Sequence, residues 1–216
     1  MSWSSLLAEL ARGALTTVTV SLAGIVIGMI VGLGLALIRV GRLPVAAELV
    51  AAYVSVIRAT PMVTLALLVF FGLPSLGLRM SPLAAAVLTI AINTAVFQSE
   101  IWRAALLDFP RGQLDAARAG GMTRTVSFHR IVFPQVWRAS LPGLVNEMTL
   151  VIKGSPAVAV IGVVDLTRVA VRATTLTYEP IRPFLTATAI YIVVVMTLIR
   201  LQRYTERRVV AKYGTL

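Results

Sequence analysis

From Ala14 to Ile38 the chain runs for about 25 residues without a charged side chain. As an α-helix rising ~1.5 Å per residue, such a run reaches about 37 Å, more than the ~30 Å hydrocarbon core of a bilayer requires. It ends abruptly at Arg39, Gly41, Arg42 and Pro44. Its glycines, Gly24, Gly28 and Gly32, fall four apart. Two readings stand side by side: a small-residue face for close helix packing, or the ordinary glycine content of membrane helices.

Composition makes the lipid reading general. Only 13% of the 216 residues are charged and 58% are hydrophobic, against ~25% charged in a typical soluble domain. Mean hydropathy is +0.88. The net charge of +11 would suggest nucleic acid in a soluble protein. Here the charges lie between apolar runs, and no RNA- or DNA-binding motif is present, so membrane topology accounts for them and no nucleic-acid partner is expected. The absence of cysteine removes disulfide and thiol chemistry. Met1 to Arg12 lacks the basic leader and cleavage pattern of a signal peptide, so the first run is expected to remain in the membrane.

Four further spans follow, and the expected fold class is all-α: a single polytopic membrane domain over residues 1–216 with five transmembrane helices, at about 14–38, 56–71, 83–102, 144–164 and 184–201. The second span, from near Val56 to Phe71, has Arg58 snorkelling at its entry. The third is closed by Glu100 and Arg103, three apart on one helix face and able to pair. Five spans place the termini on opposite sides. Fourteen basic residues fall on one side and five on the other, with Lys153 inside a span. The positive-inside rule then predicts an outside N-terminus and an inside C-terminus.

The longest polar stretch, about residues 103–140, reads as two short helices around a glycine turn. Pro110 suits the first turn of the leading helix. Gly120 and Gly121 can take the positive φ that ends it. Thr123 is a candidate N-cap for the second helix, which Pro134 limits. The spacing of Asp115, Ala116, Ala117, Gly121, Ile131 and Pro134 resembles the EAA loop of permease subunits of ATP-binding-cassette importers, with Asp115 for the usual glutamate and Phe133 for the usual leucine.

The resemblance extends over nearly the whole chain, to the polar amino-acid subfamily of histidine, glutamate, glutamine, arginine and opine permeases. Arg58-Ala59-Thr60-Pro61 is similar to its Arg-Gly-Thr-Pro entry to span two. Asn93, Phe97, Glu100 and Ile101 resemble its Asn…Tyr-x-x-Glu-Ile run, and Gly112-Gln113 precedes the EAA residues as it does there. Lys153-Gly154-Ser155-Pro156 resembles a Lys-Asp-Thr-Ser stretch with Gly154 in place of aspartate, followed by Val160-Ile161-Gly162-Val163.

This resemblance implies a translocation subunit of the bacterial cytoplasmic membrane, with Asp115 to Ala117 seated on a cytoplasmic ATPase dimer. It implies a second permease subunit, identical or related, an extracytoplasmic solute-binding protein, and a polar amino acid as cargo, cationic ones included. An opine or another small polar solute is the alternative cargo. No cofactor or metal is expected, and ATP would be bound by the partner, since no Gly-x-x-x-x-Gly-Lys-Ser/Thr stretch appears.

Ionisable residues inside a span are candidate pathway residues because their burial is costly unless they are paired or hydrated. Glu147 and Lys153 stand six apart in span four, about 240° around a regular helix, so they make poor partners for one another. Glu147, together with Asn93 of span three, is the candidate substrate contact. Its alternative role is an ion pair with an arginine at the subunit interface. For Lys153 a structural ion pair is the stronger reading. Gly154 and Pro156 can break the helix and leave polar backbone lining a cavity. A membrane-embedded enzyme is the weakest rival, because the sole histidine, His129, has no ligand partner at motif spacing and no catalytic motif is present. An ion-coupled transporter would leave the EAA spacing unexplained.

Overall fold

The computed structural model describes residues 3–41 and 44–213. It is helical from end to end. Helix α1 spans Trp3–Val40, α2 Pro44–Ala59, α3 Met62–Leu67, α4 Pro82–Leu107, α5 Arg111–Ala119, α6 Arg124–Ser127, α7 Phe133–Gly154, α8 Leu166–Thr177 and α9 Ile181–Tyr213. Among the described residues four helices are long and apolar enough to cross a bilayer, and a bent pair formed by α2 and the segment Met62–Leu76 makes a fifth span.

The centre of the fold is the pairing of α1 with α4, and glycine sets how closely they approach. A Cβ at Gly24 would stand 2.5 Å from Ile90 Cγ2, and one at Gly32 would stand 2.8 Å from the Ala95 carbonyl oxygen. One at Gly28 would collide with Thr94. The four-residue glycine spacing is therefore a packing face, because only hydrogen fits between these backbones. Across it lies a core of Val20, Ile25, Ile90, Val151, Ile152 and their neighbours. Helix α1 also begins earlier than its uncharged run. Leu6 and Leu10 are buried against Leu166, Val169 and Ala173 of α8, so its first turns are held by tertiary packing rather than by lipid.

Three expectations are corrected. The second span is not a continuous helix from Val56 to Phe71. Its two halves meet at 107°, with the break at Thr60-Pro61. Pro61 has no N–H to give and its ring obstructs the preceding turn, so α2 stops and Pro61 caps α3 in an extended conformation (φ −59°, ψ 138°). Nor does Pro134 end a short helix. A π turn over Phe128–Val132, closed by the Phe133 N–H donating to the Phe128 carbonyl, places Pro134 in the first turn of α7, where its missing donor costs nothing. The fourth span therefore begins well before residue 144, on a helical rod that runs from Arg124 to Ile161.

Residues 166–177, between the fourth and fifth expected spans, form the amphipathic helix α8. Asp165 caps it, accepting from the Arg168 N–H at 2.8 Å, while Thr17 of α1 accepts from the Leu166 N–H at 3.1 Å. The expected break after Lys153 is present: α7 ends at Gly154 and tightens into a 3-10 turn over Ser155–Ile161.

Candidate functional site

Two places gather the residues singled out by the sequence. The first is the hairpin of α5 and α6. Its glycine turn forms the bond pattern of a Schellman cap: the Met122 N–H donates to the Ala117 carbonyl at 3.0 Å and the Gly121 N–H to the Arg118 carbonyl at 2.9 Å. Gly121 takes the positive φ, +75°, while Gly120 does not. Thr123 caps α6 by accepting from the Val126 N–H, as its position predicts.

The hairpin is tied down from within. Leu114, Phe128, Ile131 and Val132 share one apolar cluster with Ala36 of α1, Trp102 of α4 and Val136 and Leu144 of α7. The Gln135 side-chain amide donates to the Gln113 carbonyl oxygen at 2.7 Å, joining α7 directly to α5. These contacts join α5 to three span-forming helices as one packed unit.

The exposed face of α5 holds Asp115, its side chain 70% accessible and paired with Arg118 at 3.1 Å, and Ala116 beside it. Ala117, expected beside them at an ATPase contact, is buried in this subunit. It is 5% exposed and faces its own chain. The accessible surface of α5 and its turn includes Asp115, Ala116 and Gly120-Gly121.

The second place lies among the span-forming helices, beside the Thr60-Pro61 break. Arg58, two residues before that break, lies over the Phe97 ring of α4 at 5.2 Å from its centroid. Glu147 of α7 is only 8% exposed, and its neighbour Met148 packs on the same core as Ile57, the residue before Arg58. Among the described residues neither Arg58 nor Glu147 makes an ion pair within 4 Å. Asn93 is half-buried on α4, one helical turn before Phe97 and on the same face. Three helices thus bring a cation, an anion, an aromatic ring and an amide to one region.

Lys153 does not join it. It is exposed near the end of α7, in keeping with the wide angle separating it from Glu147. Sequence reasoning missed Arg58 as a member, treating it as a snorkelling side chain. The signal was its position beside a Thr-Pro break, at the end of a helix that packs against α4 and Phe97. Glu100 does pair with Arg103, at 2.9 Å, and it also accepts from Arg39 at the end of α1, a partner its spacing could not show.

A helical membrane domain with a broken span, a buried carboxylate at Glu147 and a packed polar hairpin fits a permease. The chain belongs to the family described as binding-protein-dependent transport system inner membrane component, whose model matches residues 14–211. It is 35% identical to the nopaline transport system permease protein NocM of Agrobacterium fabrum, over 88% of this chain and 83% of that protein. It is 33% identical to the arginine transport system permease protein ArtQ of Bacillus subtilis, over 91% and 90%. Among solved structures, an amino acid ABC transporter with histidines superposes with a TM-score of 0.85 at 32% identity, covering 96% of this chain and 99% of that one.

Proposed function

We propose that this chain is the membrane subunit of an ATP-driven importer that carries polar amino acids, cationic ones included, into the cytoplasm. The observation that carries this reading is the placement of Arg58 over the Phe97 ring beside the break in span two, with its neighbour Ile57 and Glu147's neighbour Met148 packed on one core and no ion pair made by either charge among the described residues. A zwitterion presents a carboxylate and an ammonium group. Arg58 offers a planar donor set for the carboxylate. Glu147 meets the ammonium or a cationic side chain, and Asn93 supplies neutral hydrogen bonds beside them. Opposite charges at this depth are expensive unless matched, and such a cargo matches both.

The relatives support the class of cargo, since their names specify nopaline, octopine and arginine transport. ATP is hydrolysed on a separate cytoplasmic ATPase pair, which meets the permease at Asp115, Ala116 and the Gly121 turn, with Ile131 and Pro134 anchoring that contact to the spans. A second permease subunit completes the pathway, and an extracytoplasmic binding protein delivers the solute. The chain sits in the bacterial inner membrane with its N-terminus outside and its C-terminus inside. Lys153, near the end of α7, serves a structural contact in the assembly.

The test is ATPase stimulation of the reconstituted transporter by binding protein loaded with arginine or with glutamine. Glu147→Gln should lower stimulation by the cationic ligand about tenfold, a pairing worth ~1.4 kcal/mol, while the ATPase still co-purifies. Equal loss for both ligands would refute charge reading by Glu147.

A further inference from the structure

At the membrane boundary, where α1 and α4 end together, the hairpin leaves a cavity of about 430 Å³. That size falls within the ~300–1,000 Å³ of small-molecule sites. Leu37 and Val40 of α1 and Leu107 of α4 form one wall, and Leu114 and Phe128 of the hairpin form the other. Arg111, Arg118 and Arg124 stand on its polar side. Arg118 is engaged by Asp115, but Arg111 and Arg124 have no ion pair among the described residues.

We propose that this cavity is a binding site for an anionic phospholipid, its phosphate held by Arg111 and Arg124 and an acyl chain lying along the apolar walls. The charge fits, because a basic pocket between span ends attracts acidic headgroups. The access fits as well. Leu37, Val40 and Leu107 are partly exposed on helices long enough to span the bilayer, so an acyl chain enters sideways from the surrounding lipid. The site lies under α5, so its occupant braces the hairpin against the ends of α1 and α4.

The experiment is native mass spectrometry of the complete transporter, permease with its ATPase, released from nanodiscs of phosphatidylcholine with or without phosphatidylglycerol. The wild type should retain phosphatidylglycerol in preference to phosphatidylcholine. The double variant Arg111→Gln/Arg124→Gln should lower that retention about tenfold or more, the size expected for removing two arginines from an anionic headgroup. Leu114→Trp should lower it too by filling the cavity with no change in charge. Arg200→Gln/Arg203→Gln, on the basic end of α9, should leave it unchanged. Undiminished retention in the double variant and in Leu114→Trp, or equal loss in the α9 control, would overturn the proposal. So would crosslinks placing an acidic ATPase segment in the cavity with no lipid retained.

Discussion

At the scale of single residues, the same glycine does different work depending on what faces it. Gly28 and Gly34 lie on one helix, and the first is pressed onto Thr94 and the Ala91 carbonyl while the second has nothing within 4 Å. Alanine is the better helix former by ~1 kcal/mol where space allows. Gly34→Ala is therefore expected to leave stability unchanged or slightly raised. Gly28→Ala should cost ~1–3 kcal/mol, because α4 must move away. Thermal unfolding in detergent compares the two, and an equal response from both would remove the packing role of Gly28. Glu100 is a second residue whose partners lie far apart in sequence. Accepting from Arg39 and Arg103 together, it ties α1 to α4. Glu100→Gln should cost ~1.5–3 kcal/mol in the same assay, the worth of hydrogen bonds to a charged group.

At the scale of elements, proline and glycine direct the chain according to their surroundings. Pro61 and Pro134 are chemically identical obstacles. The first produces a 107° break and the second is absorbed by a π turn inside a continuous rod. The difference is packing: around Pro134 the rod is held by Phe128, Val132 and Val136 in one apolar cluster, and straightness keeps that cluster intact. Gly121 is the hinge of the hairpin and has open space around it, so its need for glycine is purely conformational. Gly121→Ala should cost ~1–2 kcal/mol of local stability, seen as faster amide exchange over residues 111–123 with the spans unaffected. Exchange that stays unchanged would mean the turn tolerates the strain.

At the scale of the whole molecule, the charge count predicts that the hairpin and α8 lie on opposite sides of the membrane. With no native cysteine, single insertions report this without background. Thr125→Cys, exposed on α6, should react with an impermeant maleimide only after permeabilisation, whereas Thr175→Cys, exposed on α8, should react on intact cells. The reverse pattern would invert the assigned topology. The burial of Ala117 also belongs here. A bulky residue at that position should loosen α5 from the permease itself, while Ala116→Trp should block the ATPase and leave the fold intact. Pull-down of the ATPase, set beside thermal stability, separates the two effects.

Much of this protein is determined by periodicity and spacing alone. Uninterrupted apolar length requires spans, the distribution of arginine between them bears on orientation, and fixed intervals from Asp115 to Pro134 identify the hairpin, because each of these depends on local chain properties. The tertiary structure decided what depends on distant neighbours. Whether Gly24, Gly28 and Gly32 form a face depended on α4 arriving opposite them. Whether Ala117 looks outward depended on which side of α5 the spans occupy. Arg58 reached the Phe97 ring only through the packing of α2 beside α4, and the inner side of α8 is covered by Thr17 and the first turns of α1. A membrane chain states where it crosses through composition. Which polar groups meet inside it is set by packing, where the cost of an unmatched charge makes every neighbour count.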